Sequence, residues 1–507
     1  MNVLLTGATG YIGGRLLRRF LGSRAMRLRV LARNPRKLPP LPPRVEVVRG
    51  DTLQPKTIES ALDGIDTAYY LVHSMGAGKD FESLDRASAA AFRDACISRG
   101  VRRIIYLGGL GTATGASKHL RSRIETGEIL SAFPDRIQTI HFRAGVIIGS
   151  GGASWEIIRN LVRKLPVMVT PRWVRTRTQP IAVDDVLDYL AAAKDVEAAG
   201  DHVIDIGAEI LTYGEMMIRA ARVMGLRRLM IPVPLFSPRL SSYWLVLFTP
   251  VPYRIASELV EGLSSETITL DDSARRLFPD IRPVGYDGAV RRAIDEEERL
   301  LVVSRWCDGT TEPSCDTGDA SLPRGHVLRM TAIRGLEGKP SESVFGTIES
   351  IGGERGWYSF HFLWRTRGLI DKLTGGYGLN RGRRHPDELR VGDALDFWKV
   401  EDIVRGRRLL LRSQMRLPGA GWLEFIVRAD RLDVTAYFNP RGPGGICTGI
   451  SCTRRTFSYS GALPAPSSGG QNKAPSRDGA FHAARLGFEP RHFWSRARRV
   501  ASYTTGQ

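Results

Sequence analysis

Cysteines are scarce in this sequence, and no metal-binding pattern is present. Its 507 residues include 5 cysteines, with no CxxC spacing and no nearby histidine pair, so neither a disulfide framework nor a metal site is predicted. The most apolar stretch, from Tyr243 to Pro252, is too short to span a bilayer and is broken by prolines. The first residues, MNVLLTGATG, lack the basic region and cleavage site of a secretion signal. A cytoplasmic location is therefore expected.

The net charge of +20 does not have the distribution typical of a nucleic-acid-binding protein. From Ile446 to the end, 9 Lys and Arg stand against 2 Asp and Glu, so +7 of the +20 lies in this last stretch. The remaining +13 is mostly scattered arginine, with no basic run interleaved with aromatic residues. We therefore expect a small-molecule partner and no nucleic acid.

Three glycines follow a short apolar strand at the start of the chain. Val3, Leu4 and Leu5 form the apolar run, and Gly7, Gly10 and Gly13 come next at intervals of three residues. The first glycine allows a tight turn, the second lets the backbone approach a pyrophosphate, and the third lets the helix pack against the strand. The order strand, glycine turn and amphipathic helix predicts a dinucleotide-binding site.

The end of the second strand favours NADP(H) over NAD(H). The strand LRVLAR ends in Arg33, where an NAD site would carry an acidic residue for the ribose hydroxyls. No Asp or Glu lies between Leu28 and Leu41. An arginine offers a planar set of donors that suits a 2′-phosphate. The alternative is an ordinary solvated basic loop.

Strands and helices alternate through the first 300 residues. This alternation predicts an α/β fold with a doubly wound parallel (Rossmann) sheet, whose ligand binds at the carboxyl ends of the strands. A fourth strand is predicted over TAYYLVHS and a fifth over VRRIIYLGG. We expect Asp51, Leu71 to Ser74, and Gly108 with Gly109 to face the cofactor cleft.

The segments TGATGYIGG, GD at 50–51, LVHS and RTRTQPIAVDDVLDYL resemble the atypical or extended short-chain dehydrogenase/reductases, such as the NmrA-like and complex I-associated members. The resemblance covers about residues 1–300. It implies that Gly7, Gly10 and Gly13 hold the pyrophosphate, Arg33 the 2′-phosphate and Asp51 the adenine edge. The full set of expected cofactor contacts is Gly7, Thr9, Gly10, Tyr11, Ile12, Gly13, Arg33, Asp51, Thr52, Leu71, Val72 and His73.

The Ser-Tyr-Lys triad of that family is absent. Gly108 and Gly109 stand in the serine region, His119 at the tyrosine position and Arg123 at the lysine position. Four residues apart on a helix, His119 and Arg123 share a face and can address one ligand. A protonated His119 could act as general acid, although the charge of Arg123 would oppose its protonation. His119 could also contact the cofactor without transferring a proton, or lie on the helix surface.

A second module follows a linker rich in Gly, Pro, Ser, Thr and Asp. Its strand-like segments predict an antiparallel sheet. GGYGLNRGRRHPDEL and MRLPGAGWLEF resemble an uncharacterised bacterial domain that we compare with the helix-grip ligand-binding fold, an α+β fold. Arg381, Arg383 and Arg384 there fit either an anion site or a solvated basic loop.

The last residues lose all periodicity, which predicts a disordered tail. A shifted reading frame over ICTGISCTRRTFSYSG permits LHWYILYPPHLFIFRG, close to the C-terminus of the resembling domain, so a frameshift near residue 446 is a hypothesis. The predicted domains are 1–300 (NAD(P)-binding), 301–324 (linker), 325–445 (helix-grip-like, incomplete) and 446–507 (tail).

Taken as a whole, these features predict an NADP(H)-binding, oxidoreductase-like protein that reduces an apolar carbonyl or quinone-like substrate. The alternative is a non-catalytic nucleotide-binding redox sensor or assembly protein. Peripheral membrane contact through the aromatic segment at 240–252 is a third prediction. The sequence leaves the oligomeric state open.

Overall fold

The computed structural model describes residues 1–23, 26–73, 81–112, 116–233, 261–263, 265–299, 301–305, 328–336, 338–353, 383–415 and 419–440. The aromatic segment at 240–252, Ser74, Arg381 and the tail from residue 446 lie outside these residues, so the predictions made for them are not tested.

A seven-stranded parallel sheet organises the N-terminal part. Its strand order is β11-β6-β5-β4-β1-β2-β3, and each neighbouring pair is parallel. The strands are β1 (Asn2–Thr6), β2 (Arg27–Ala32), β3 (Val45–Arg49), β4 (Thr67–Tyr70), β5 (Arg103–Gly109), β6 (Gln138–Ala144) and β11 (His202–Ile206). The predicted Rossmann sheet is confirmed. The fourth strand was predicted too long, because β4 ends at Tyr70 and Leu71 to His73 form a loop beyond it.

Helices cover both faces of this sheet. They are α1 (Tyr11–Leu21), α2 (Pro55–Leu62), α3 (Phe81–Ser98), α4 (Lys118–Leu130) and α6 (Val183–Ala192). Apolar side chains of α1 and α6 fill one face, for example Leu16 and Val186. Those of α2, α3 and α4 fill the other, for example Ile58, Phe92 and Leu130. Burial of the sheet on both faces explains why its central strands β1, β4 and β5 are rich in apolar residues.

A smaller layer lies next to the carboxyl ends of the strands. It contains α5 (Ala153–Lys164), α7 (Tyr213–Val223), α9 (Tyr286–Glu298) and the short strands β7 (Ile147–Ile148), β8 (Val167–Thr170), β9 (Arg177–Thr178), β10 (Ile181–Ala182), β12 (Leu211–Thr212) and β13 (Leu229–Pro232). The short helix α8 (Ser273–Leu277) packs instead on the face of the parallel sheet that α1 and α6 cover. Trp155, Met216 and Val290 belong to one buried cluster of the smaller layer. The capping box predicted at Thr212 and Glu215 is confirmed at the start of α7.

The C-terminal part has a six-stranded antiparallel sheet, as predicted. Its order is β14-β19-β18-β17-β16-β15. The elements are β14 (Leu328–Gly335), α10 (Ser341–Glu349), β15 (Ala394–Leu395), β16 (Trp398–Val404), β17 (Arg408–Ser413), β18 (Gly419–Val427) and β19 (Arg431–Pro440). Phe345 and Ile348 of α10 pack into the core of this sheet. The helix-grip interpretation stays a prediction.

The two interpretations offered for the arginines near residue 383 are wrong for Arg383 and Arg384. Arg384 is 9% exposed and forms an ion pair with buried Asp393, with Nε 3.2 Å from Oδ1. Arg383 donates to the backbone carbonyl of Glu349, at 2.6 Å, and to that of His385, at 2.7 Å. Both side chains stabilise the fold of this sheet domain, because a buried guanidinium requires an acceptor for its donors.

The segment after α9 crosses the start of the chain. Ser304 is buried, and its Oγ donates to the backbone oxygen of Tyr11 at 2.7 Å. Arg305 donates to the backbone oxygen of Arg383 at 2.5 Å. The first residues of the predicted linker therefore contact both the glycine-turn helix and the C-terminal sheet domain.

Candidate active site

The glycine turn has the backbone geometry that its sequence predicts. Gly7 has φ +71°, a left-handed conformation that costs other residues free energy. A Cβ at Gly7 would come within 2.7 Å of the carbonyl carbon of Leu71. A Cβ at Gly13 would come within 2.6 Å of the carbonyl carbon of Gly7. The predictions of a tight turn at Gly7 and of close helix packing at Gly13 are confirmed.

The amino end of α1 can accept an anion. Its first turn has no acidic residue, and its N-cap is Gly10, which has no side chain that could accept a hydrogen bond from the first N–H groups. The first backbone N–H groups of a helix have no acceptor within the helix. Within 4 Å, a Cβ at Gly10 would meet one described atom, the Gly7 oxygen, at 3.2 Å. Open space beside uncapped N–H groups fits a diphosphate.

The other expected contacts in this turn have different surroundings. Thr9 lies in the turn and is partly exposed. The Tyr11 hydroxyl is buried, and a Cβ at Gly149 would lie 2.7 Å from it. Ile12 packs against the sheet core. The side chains of Tyr11 and Ile12 therefore serve packing, and their backbone N–H groups remain the candidate phosphate donors.

A basic turn follows the second strand. Arg33 comes directly after β2 and is exposed. Asn34 caps the short helical turn Pro35–Lys37, with its Oδ1 accepting from the backbone N–H of Arg36 at 3.1 Å. Arg36 is 3.9 Å from Asp402 of the C-terminal sheet. The turn thus presents cationic side chains at the carboxyl end of β2.

Residues after β3 and β4 complete this edge of the sheet. Asp51 Oδ1 accepts from the backbone N–H of Leu53 at 3.0 Å. Thr52 is buried, and its hydroxyl accepts from Ser88 at 2.7 Å. Leu71 and Val72 pack partly buried against the cores on the two faces of the sheet. The backbone of Leu71 lies against Gly7, so the loop after β4 adjoins the glycine turn.

His73 and His119 are in direct contact, which the sequence did not predict. His73 Nε2 is 3.0 Å from His119 Nδ1. His73 follows β4, and His119 lies in the first turn of α4, which Ser117 caps by accepting from the N–H of Leu120. The two residues are 46 positions apart. The structure therefore joins a predicted cofactor contact to the predicted catalytic position.

Asp85 lies beneath this histidine pair. Its Oδ2 is 2.8 Å from Nδ1 of His73 and accepts from the Ser122 hydroxyl at 3.0 Å. The Asp85 side chain is 4% exposed and that of His73 is 17% exposed. Sequence reasoning missed Asp85, because it is one of several polar residues near the start of α3 and nothing in its spacing connects it to the other two residues.

Arg123 is directed toward the end of β5. Its guanidinium donates to the backbone oxygen of Leu107 at 2.6 Å. Its Nε is buried, without an acceptor among the described residues. Tyr106 is buried in β5, and its hydroxyl donates to the backbone oxygen of Arg123 at 3.0 Å. Arg123 keeps a charge near His119 while the Leu107 carbonyl holds its guanidinium.

Burial and neighbouring charges disfavour protonation of both histidines. Burial lowers the pKa of His73, although the hydrogen bond and charge of Asp85 act in the opposite direction. Burial, His73 and Arg123 together hold the pKa of His119 well below its usual range. Neutral imidazoles are therefore the resting forms at neutral pH.

Two family models match separate parts of the chain. Residues 7–160 match a family described as NAD(P)H-binding. The matched span lies within the parallel-sheet part of the chain, whose Rossmann fold extends from β1 to β11. Residues 327–446 match a family described as a protein of unknown function (DUF2867). The NAD(P)-binding domain is thus followed by a DUF2867 domain that contains the antiparallel sheet.

Solved structures with a similar fold cover the N-terminal part. MoeE5 in complex with UDP-glucose and NAD is 18% identical, with a TM-score of 0.45, over 59% of this chain and 100% of that one. The triphenylmethane reductase of Citrobacter sp. complexed with NADP(H) is 19% identical, with a TM-score of 0.47, over 58% of this chain and 100% of the reductase chain. UDP-glucose 4-epimerase of Thermotoga maritima is 13% identical, with a TM-score of 0.46, over 59% of this chain and 100% of the epimerase chain.

Identities and scores this low carry no information about the substrate of this chain. No curated protein matches the sequence. Among the described residues, no helix combines the length and apolar character needed to cross a bilayer.

Proposed function

We propose that this protein is an NADP(H)-dependent oxidoreductase of the atypical short-chain dehydrogenase type, which reduces a small apolar carbonyl or quinone-like compound in the cytoplasm. One observation carries the proposal. An uncapped glycine turn and an acid–base cluster, His73, His119 and Asp85, lie at the same carboxyl edge of the parallel sheet. In doubly wound sheets this edge is where ligands bind.

The basic turn supports a preference for NADP(H). Arg33 is exposed at the end of β2, and Arg36 follows in the next turn. Arginine donors form charge-assisted hydrogen bonds with phosphate, each stabilising by about 1.5–3 kcal/mol. The absence of an acidic residue from Leu28 to Leu41 removes the usual partner of an unphosphorylated ribose.

Each group has a separate task in this proposal. The backbone from Gly7 to Gly13 binds the diphosphate, and Arg33 binds the 2′-phosphate. Bound reduced nicotinamide supplies the hydride. His119, partly exposed at the start of α4, supplies the proton. Arg123, held by the Leu107 carbonyl, places a fixed positive charge where negative charge develops on the substrate oxygen.

Calorimetry with the full-length chain tests the binding step. NADPH should bind, and Arg33→Ala should weaken its binding about tenfold to a hundredfold, because one arginine–phosphate contact is lost. NADH binding should change little. Arg27→Ala is the matched control, since Arg27 is exposed at the opposite end of the same strand. Equal losses for both coenzymes would contradict the assignment of Arg33.

A non-catalytic redox sensor is the second candidate, because the tyrosine and lysine of the family are absent at 119 and 123. NADPH oxidation with a panel of apolar carbonyls and quinones separates the two. Turnover that His119→Ala abolishes supports the enzyme. Tight NADPH binding without turnover of any compound would support the sensor.

The predicted membrane contact through residues 240–252 is not tested, but an apolar ribbon elsewhere on the surface suggests a second candidate for such a contact. Val167, Val169, Leu229 and Ile231 are 44–59% exposed on the paired strands β8 and β13. Adjacent apolar side chains in this number are uncommon on a fully solvated surface. We propose that the ribbon touches a lipid surface. The chain should float with liposomes, and the double variant Val169→Ser, Leu229→Ser should not.

A further inference from the structure

Three side chains from three separate elements form one unbroken hydrogen-bonded chain. Asp85 of α3 contacts Nδ1 of His73 at 2.8 Å, and His73 Nε2 contacts Nδ1 of His119 at 3.0 Å. Both ring nitrogens of His73 are therefore used within the chain. His119 uses Nδ1 for its contact with His73, and among the described residues its Nε2 takes no part in the hydrogen-bonded chain.

The position of Asp85 determines where the protons lie. An ionised carboxylate only accepts, and Asp85 also accepts from Ser122, so His73 must carry a proton on Nδ1. One proton then lies between His73 Nε2 and His119 Nδ1. When it belongs to His119, Nε2 of His119 has a lone pair. When it belongs to His73, that ring is a cation and His119 can carry its own proton on Nε2.

We propose that Asp85, His73 and His119 form a proton relay, in which His119 Nε2 exchanges a proton with the substrate oxygen and the positive charge is held on His73. His119 is then the catalytic residue, and His73 and Asp85 are positioning residues. This inference rests on the proposed function, because it assigns the proton that accompanies the hydride.

The step balances as follows for carbonyl reduction. The carbonyl carbon receives hydride from the reduced nicotinamide, and the π electron pair of the C=O bond moves to oxygen. That oxygen takes the proton from His119 Nε2 and becomes a hydroxyl. The Nε2 proton of His73 moves to His119 Nδ1, and His73 loses its positive charge. Solvent returns one proton before the next turnover.

Charge placement explains why a relay is needed at this position. A cation on His119 would lie close to Arg123, whose charge opposes it. A cation on His73 is also opposed by burial and by Arg123, but it lies against the Asp85 carboxylate, whose hydrogen bond and charge favour it. The charged groups that act on both histidines are Asp85 from α3 and Arg123 from α4. Because the two rings share a proton, their titration belongs to the pair.

Three variants of the full-length protein test the relay. His119→Gln should lower kcat for reduction by about 10²- to 10⁴-fold, the usual contribution of a general acid. Asp85→Asn should move the pH above which reduction declines downward by about 1 to 3 pH units, because the cation loses its counter-charge. Ser122→Ala should move it slightly upward, since Asp85 loses a competing donor and its charge acts more strongly on His73.

A second readout does not need turnover. Diethylpyrocarbonate modifies neutral imidazole, so the pH dependence of its reaction with the His73 and His119 peptides, followed by mass spectrometry, reports the protonation of the pair. Asp85→Asn should shift the modification curve to lower pH, by the same amount as it shifts the pH above which reduction declines. His202→Gln is the control, because His202 lies on the edge strand β11 and contacts the Ala198 carbonyl, away from the pair.

The outcomes separate the relay from the proposed function. If the wild-type protein neither binds NADPH nor turns over, the proposed function fails, and the modification curves still test the coupling of the pair. If the wild-type protein does turn over, the two variants decide the relay. It is refuted if neither Asp85→Asn nor Ser122→Ala changes the pH above which reduction declines or the pH dependence of the modification. The opposite signs expected for these two variants exclude a general loss of folding as the cause.

Discussion

Two glycines of the same turn should respond in opposite ways to alanine. Gly10→Ala should leave the protein folded and weaken NADPH binding. Gly7→Ala should destabilise the fold itself. The difference follows from the surroundings of each Cα. Among the described atoms within 4 Å, a Cβ at Gly10 would meet only the Gly7 oxygen, at 3.2 Å, which a small shift relieves, whereas one at Gly7 would enter the backbone of Leu71.

The free energies can be estimated from this geometry. Gly7 has φ +71°, and the left-handed conformation costs alanine about 1–2 kcal/mol. The collision with Leu71 adds about 1–3 kcal/mol, as for other overpacked sites. Gly10 has φ −89° and ψ 177°, which alanine adopts freely. The loss of a favourable N-cap and the lower entropy of the unfolded chain offset each other to within about 1 kcal/mol.

Calorimetric unfolding and NADPH titration measure the two effects. Gly10→Ala should keep its melting temperature within a few degrees and lose NADPH affinity roughly tenfold or more, that is about 1.4 kcal/mol or more. Gly346→Ala, in the middle of α10 with no described atom within 4 Å of the added Cβ, is the control and should stabilise by about 0.5–1 kcal/mol. Undiminished NADPH affinity in Gly10→Ala would refute the placement of the diphosphate.

Three other substitutions probe the framework around the site. Asp205→Ala should destabilise by about 3 kcal/mol in thermal unfolding, because Arg143, 2.6 Å from Asp205, would lose the partner of a largely buried charge; an unchanged melting temperature would contradict this. Asp393→Ala should lower the unfolding transition of the DUF2867 domain by a similar free energy, since it removes the carboxylate of buried Arg384, and Asp387→Ala, at an exposed position, is its control. Burial raises the pKa of Asp185 from 3.8 to about 6, so the folded state binds this proton more tightly and stability falls as the pH rises from about 4 to about 6. Asp185→Asn should therefore reduce the difference in melting temperature between pH 4 and pH 7, and an equal difference in both proteins would show that another group causes it.

The regular part of the fold could be predicted because its signals are local. The central strands of the parallel sheet are short runs rich in apolar residues, and the helices on its faces repeat apolar residues at helical spacing. The glycine turn is also local, since Gly7 and Gly13 are six residues apart and restrict each other's backbone. Even the cap of α7 at Thr212 depends on two residues within one helical turn.

The contacts that define the site could not be predicted in the same way. Asp85 is one of several polar residues of α3, and its burial against His73 depends on how α3 and α4 pack on the sheet. Arg384 was expected either in an anion site or in a solvated basic loop, and its partner Asp393 became apparent only in the folded domain. Both cases are buried polar groups. Whether such a group can be buried depends on a partner that is distant in sequence, and residue type alone does not reveal that partner.

The absence of the tyrosine and lysine does not exclude acid–base chemistry here. The objection to a histidine at position 119 was the positive charge of Arg123; burial, then His73 and then Arg123 hold the pKa of His119 well below its usual range. The structure places His73 and buried Asp85 on the other ring nitrogen. A proton delivered through that nitrogen leaves its charge beside a carboxylate, which acts against the opposing charge of Arg123. The same arginine that makes a solitary His119 a poor proton carrier thus favours a relay in which His119 only passes the proton on.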